Sequence, residues 1–129
     1  MSGRFLLDTN ILIALFADDA QVKNNLATTD EVYLSSIAVG ELFYGAHKSE
    51  RFSQNLARID ELVASNVVLP CNTETARRYG EIKNELRRKG RPLPENDIWI
   101  AATAFQYGLT LATRDGHFAV IEQLTTSFW

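Results

Sequence analysis

Four carboxylates stand where the chain passes between its apolar segments: Asp8, Glu41, Asp97 and Asp115. Asp8 ends the run Phe5-Leu6-Leu7, and Asp115 follows Leu109–Thr113. Asp97 falls in the first turn of an expected helix, and Glu41 stands inside another, one turn from Ile37 and beside Leu42. Singly, each has an ordinary explanation. Asp8 can cap a helix, Asp97 can complement a helix dipole, Asp115 before Gly116 can make a turn, and Glu41 can face solvent on a wide polar edge. What needs explaining is their shared placement at one edge. Four carboxylates in one cleft repel each other, and a hard divalent cation such as Mg²⁺ or Mn²⁺ relieves the repulsion. Such a site can polarise a phosphodiester and lower the pKa of a water placed for in-line attack. The net charge of −3 becomes +1 without the four acids, so a metal-loaded cleft need not repel a nucleic acid. Other chemistries find no support. There is no Walker A sequence and no G-x-G-x-x-G. His47 and His117 do not make a zinc spacing. Cys71 reads as a small buried hydrophobe, His117 as a surface turn residue, and Trp99, Phe105 and Tyr107 as core or interface aromatics.

The elements that must position these acids follow from apolar spacing and cap residues. Phe5–Leu7 reads as a buried strand, with Thr9 and Asn10 able to cap a helix carrying Ile11, Leu12, Leu15 and Phe16. A short helix covers about 20–27. A second strand spans Glu31–Leu34. Ser35 or Ser36 caps a helix to about Lys48, and another runs from about Glu50 to Ala64. Val67–Leu69 is a third strand. Asn72 caps a long helix to about Arg88. Gly90-Arg91-Pro92-Leu93-Pro94 is a loop. Asn96 caps a helix over Asp97–Tyr107, with Gly108 ending it. Leu109–Thr113 is a fourth strand, and Val120–Phe128 can supply a last short one. Short apolar strands alternating with helices imply a three-layer α/β/α sandwich with a short, mostly parallel central sheet. In such sheets, sites form outside the carboxyl ends of the strands, where Asp8 and Asp115 fall.

The 129 residues suit a single domain spanning 1–129. An apolar fraction of 46% with 22% charged residues excludes a disordered chain. No apolar run approaches a membrane span, and the N-terminus lacks the pattern of a signal peptide. The lone Cys71 can form no internal disulfide. The simplest compartment is a reducing cytoplasm. Charge is uneven. Residues 77–91 carry seven of the thirteen basic residues and two of the sixteen acids, a local +5 that leaves −8 on the rest. That segment is either a solvated helix face with i,i+4 pairs or the footprint of a polyanion. On the second reading Arg87, Arg88, Lys89 and Arg91 are the candidate phosphate contacts.

Four segments carry a family likeness. Phe5-Leu6-Leu7-Asp8-Thr9-Asn10-Ile11-Leu12, Ser36-Ile37-Ala38-Val39-Gly40-Glu41-Leu42, Leu93-Pro94-Glu95-Asn96-Asp97-Ile98-Trp99-Ile100-Ala101-Ala102 and Leu111-Ala112-Thr113-Arg114-Asp115-Gly116-His117-Phe118 resemble, in order and spacing, the motifs of PIN-domain ribonucleases. Length and spacing resemble the VapC-type toxins of prokaryotic toxin–antitoxin pairs. The resemblance implies that Asp8, Asp97 and Asp115 hold Mg²⁺ or Mn²⁺. It implies that Glu41 binds the metal or orients a water on it, and that Asn10 and Thr113 brace the site from behind. The implied activity is endonucleolytic RNA cleavage by a metal-activated water, without the 2′-OH as nucleophile. The implied partners are a second copy of the chain and a VapB-like antitoxin covering the cleft. Relatives often carry a further acid soon after the fourth motif, where this chain has His117 or nothing, which bears on a second metal. Residues 77–91 could serve RNA or antitoxin. The alternatives are a housekeeping RNA-processing nuclease, a PIN domain that binds RNA without cutting it, and, remotely, a receiver-type signalling domain. The last would need an acid pair after strand one and a lysine at a late strand end.

Overall fold

The strands expected from apolar runs all form, and they line up side by side in one sheet. A computed structural model describes residues 2–129. Along the chain run β1 (Arg4–Leu7), α1 (Thr9–Phe16), α2 (Ala20–Ala27), β2 (Glu31–Ser35), α3 (Ser36–His47), α4 (Phe52–Ala64), β3 (Val67–Leu69), α5 (Thr73–Lys89), α6 (Glu95–Tyr107), β4 (Thr110–Thr113) and β5 (Thr126–Phe128), with a 3₁₀ turn at Gly116–Val120. The sheet order is β3-β2-β1-β4-β5, and every neighbouring pair is parallel. Leu6 sits opposite Tyr33 on one side and Leu111 on the other. Leu6, Leu34 and Leu111 are fully buried, as strands covered on both faces require.

The order explains where a site can open. From β1 the chain steps outward to β2 and β3, then jumps back past both to β4 on the far side of β1. Right-handed crossovers put α1–α4 on one face and α5–α6 on the other. The direction therefore reverses between β1 and β4, and a crevice forms at their carboxyl ends. α5 and α6 pack together extensively, and α3 reaches α6. Ile100, Ala101, Ala102, Thr103 and Ala104 of α6 are all buried; three alanines in this run let neighbouring backbones approach closely.

Several local expectations change. Asp8, not Thr9 or Asn10, is the N-cap of α1: its backbone is extended and its carboxylate accepts the Thr9 N–H, while Thr9 and Asn10 are already helical. Asn96 does not cap α6. The helix starts at Glu95, and the Pro94 carbonyl receives the Ile98 N–H. The helix expected from Glu50 starts at Phe52 without a side-chain cap. Asn72 caps α5 in a capping box with Thr75, and Gly90 and Gly108 end α5 and α6 in the left-handed region, each at φ 64°. Cys71 is exposed rather than buried, because the chain leaves the edge strand β3 at Pro70 and turns outward. Among the described residues no helix is long and apolar enough to cross a membrane.

Candidate active site

Asp8 lies at the mouth of the crevice between β1 and β4. Its backbone N–H continues the ladder to the Ala112 carbonyl at 2.9 Å, which pins the residue before its side chain does anything. The residue is 4% exposed. Oδ1 accepts the Thr9 N–H at 2.8 Å, and Oδ2 accepts the Thr113 hydroxyl at 2.7 Å. With its one proton given to Asp8, the Thr113 oxygen is left as an acceptor. It receives the Asp115 N–H at 3.0 Å and, more weakly, the Asn10 amide at 3.5 Å. Asn10 Oδ1 in turn accepts the Arg114 N–H at 3.3 Å. One buried hydroxyl thus joins the ends of β1 and β4 and sets two carboxylates relative to each other. Asn10 reaches Asp8 only through Thr113.

Asp115 is half-buried, and its Oδ1 takes both the His117 N–H at 2.8 Å and the His117 ring nitrogen Nδ1 at 2.7 Å. Glu41 reaches the crevice from α3, where its Oε1 accepts the Thr9 hydroxyl at 2.7 Å. Asp97 sits in the first turn of α6, half-buried, and among the described residues its carboxylate takes no hydrogen bond and no ion pair. Burial, then the negative charges of Asp8, Asp115 and Glu41, push the Asp97 carboxyl up to about 6, with His117 opposing. Burial also raises Asp8, against the hydrogen bonds from Thr113 and Thr9, with Glu41 and Asp115 adding to the rise. The structure therefore brings all four acids of the sequence pattern within electrostatic reach of each other.

The nearest arginine in sequence does not relieve the excess charge. Arg114 forms a two-bond ion pair with Asp19, at 3.0 and 2.9 Å, and donates to the Trp129 carbonyl at 2.9 Å. That pair holds Asp19 down to about 2. What remains in the crevice is a set of oxygen donors with surplus negative charge, the chemistry that suits a hard divalent cation. Among the described residues, no three or more Asp, Glu, His or Cys side chains are drawn up as a ready-made cage.

Two features of the site escape sequence reasoning. Thr9 is more than a helix residue, since its hydroxyl holds Glu41; the only signal was its place beside Asp8. The Arg114–Asp19–Trp129 clamp joins the last residue of the chain to the turn carrying Asp115, and nothing local announces it. The four candidate phosphate-contact residues lie along the C-terminal end of α5 and the following loop. Arg87, Arg88 and Arg91 are exposed and, among the described residues, form no ion pair, and Arg87 donates to the Asn84 side chain. Lys89 is committed elsewhere, to Glu85 at 3.0 Å, Glu122 at 3.3 Å and the Val120 carbonyl at 2.9 Å.

A wholly parallel sheet with paired helices, and an acidic crevice at its topological switch point, define an α/β/α domain built to act at the carboxyl ends of β1 and β4. The model of the PIN domain family matches residues 5–124, and this chain belongs to that family. It is 34% identical over 129 residues to ribonuclease VapC2 of Haemophilus influenzae, covering 98% of both chains. It is 35% identical over 135 residues to the tRNA(fMet)-specific endonuclease VapC of Shigella flexneri, again covering 98% of both. Among solved structures, VapBC2 from Rickettsia felis bound to a DNA fragment from its promoter matches with a TM-score of 0.89, at 30% identity and 98% coverage of both chains.

Proposed function

We propose that this chain is a divalent-metal-dependent endoribonuclease of the VapC kind, the toxin of a toxin–antitoxin pair, acting in the cytoplasm. The observation that carries this reading is Asp97: a half-buried carboxylate without a hydrogen-bond donor, beside three further acids and pushed up to about 6. A carboxylate placed so unfavourably fits a missing positive partner better than it fits a helix cap. Asp8, Asp97 and Asp115 hold the cation, Mg²⁺ or Mn²⁺. Bound there, it supplies the positive charge that polarises the RNA phosphodiester and lowers the pKa of water.

The protein's own residues do the rest. Thr113 fixes Oδ2 of Asp8 and the backbone of Asp115, so both acids keep their relative position when substrate arrives. Thr9 turns Glu41 toward the crevice, where its second oxygen can orient the attacking water and accept its proton. The His117 ring and its own N–H occupy one oxygen of Asp115, and among the described residues the other takes no hydrogen bond. Partner binding has a place beside the crevice. A groove of about 220 Å³ lined by Ile13, Phe16, Leu42, Ala46, Ile59 and Glu41 can take apolar side chains of a VapB-like antitoxin segment that closes the site, and a second copy of the chain completes the assembly.

The test is RNA cleavage by the purified chain freed of antitoxin, with Mg²⁺, with Mn²⁺ and with EDTA, beside Asp97→Asn. Discrete fragments that require metal and vanish in the variant are expected, as is growth arrest on expression of the wild type alone. Folded protein that cuts no class of RNA with either metal would overturn the reading.

A further inference from the structure

The C-terminal half of α5, the loop that follows it and the start of α6 enclose a cavity of about 370 Å³. Its floor is apolar, made by the buried Leu86 and Ile98 with the half-buried Leu93, and Pro92 forms a wall. Gly90, left-handed at φ 64°, contributes no side chain at the mouth. Lys83 and Glu95 close one edge as an ion pair joined also to the Tyr79 hydroxyl, so no unpaired acid faces the opening. Arg87 stands on the rim; Arg88 and Arg91, one and four positions further along the chain, are exposed, and among the described residues none of the three forms an ion pair. A concave apolar floor with a few charged groups at its edge is the usual form of a small-ligand site.

We propose that this cavity receives one nucleobase of the RNA substrate, with Arg87, Arg88 and Arg91 contacting the phosphates on either side. The inference rests on the ribonuclease reading and adds a base subsite to it. Charge selects the occupant: the cations at the rim suit a polyanion, and the floor suits the face of a base. Position agrees. Glu95 and Ile98, both lining the cavity, share one face of the first turn of α6, and Asp97 leaves the same turn on a different face, toward the other acids. The cavity therefore lies one helix face away from the carboxylates, within reach of another base of the strand whose phosphate is held there. Basic residues ending a helix also complement its dipole. That accounts for Arg87 and Arg88, but not for Arg91 beyond the end of α5 or for the hollow beside it.

The experiment measures affinity by fluorescence anisotropy, using Asp97→Asn protein with Mg²⁺ so that the probe stays intact. The probes are a short fluorescein-labelled single-stranded RNA of mixed sequence and an abasic ribose-phosphate chain of equal length. The parent protein should bind the RNA about tenfold more tightly than the abasic chain, the order expected for one buried or stacked base. Leu93→Trp, which fills the hollow, should bind both probes equally and the RNA about tenfold more weakly. Arg87→Ala and Arg91→Ala should weaken both probes alike and flatten the salt dependence. If Leu93→Trp is not folded by circular dichroism, the exposed Pro92→Trp fills the same wall. A Trp variant that keeps the parent's affinity and discrimination overturns the proposal. So does a variant whose RNA affinity is unchanged while its sedimentation shows a lost self-association, since the cavity would then seat a second copy. A Mn²⁺ titration of the chain with Asp97 intact separates the two readings: no Mn²⁺ binding with base discrimination retained rejects the metal-nuclease reading and leaves the base subsite standing.

Discussion

Replacing Asp97 by Asn should make the metal-free protein more stable while abolishing its cleavage of RNA. Unfolded, the Asp97 carboxyl titrates at 3.8; folded, it titrates at about 6. The folded state therefore binds this proton more tightly, and stability falls as pH rises between those two values and stays lower above them. The difference of about two units corresponds to about 3 kcal/mol at neutral pH. Water on the open side of a half-buried group screens part of it, leaving about 1–3 kcal/mol. Asn cannot ionise and escapes that penalty. For a chain of this size the gain is about 5–10 °C in Tm. The assay is urea and thermal unfolding of both proteins in EDTA at pH 7.5 and at pH 4. The advantage of Asp97→Asn should be present at pH 7.5 and largely gone at pH 4, where the wild-type carboxyl is protonated in the fold. Adding Mg²⁺ or Mn²⁺ at pH 7.5 should raise the wild type toward or past the variant, because ligand binding to the folded state stabilises by mass action. An Asn variant no more stable than wild type at pH 7.5 in EDTA, or an advantage that does not shrink on acidification, would refute the picture of a carboxylate held against its own charge.

Two further substitutions probe the supports. Thr113→Val removes the donor to Asp8 and the acceptor for the Asp115 N–H from a buried position; urea unfolding should show a loss of about 1–3 kcal/mol and Mn²⁺ titration a weaker site, with Thr113→Ser restoring most of both. Arg114→Ala frees Asp19, whose carboxyl is held down to about 2 by that arginine. The wild-type pair contributes stability above the unfolded value of 3.8 that is lost as pH falls toward 2, so an acid-denaturation profile of the variant should lie lower at neutral pH and lose the step in that window.

The strands and the four acids were legible because the signals are local. Phe5-Leu6-Leu7 ends on a charge, Glu41 stands in an apolar helix, and Asp115 follows closely on the short run Leu109–Thr113. The parallel sheet follows from strands without alternation. Other features depend on residues far apart in the chain. Sequence does not say that β1 lies between β2 and β4, and without that order the hydroxyl of Thr113 has no reason to meet Asp8. The Thr9–Glu41 bond spans 32 positions and the Arg114–Asp19 pair 95, so neither leaves a local pattern. Cap chemistry misled at α6, where the Pro94 carbonyl begins the helix before the better capping residue Asn96 is reached. Cys71 was misread because cysteine is a commonly buried type, whereas its place just beyond an edge strand decides its exposure.

The sheet order has a consequence for how such an enzyme is made. Asp8 emerges first from the ribosome, but the hydroxyl that holds it lies 105 positions later, and β1 has only one of its two neighbours until β4 has been synthesised. Synthesis runs from the N-terminus, so a nascent chain carries Asp8 and Glu41 long before Asp97 and Asp115 exist to complete the crevice. Pairings of such long sequence separation also form slowly. A ribonuclease built on this topology has no complete crevice until β4 and Asp115 have been made, leaving an interval in which a neutralising partner can already be waiting.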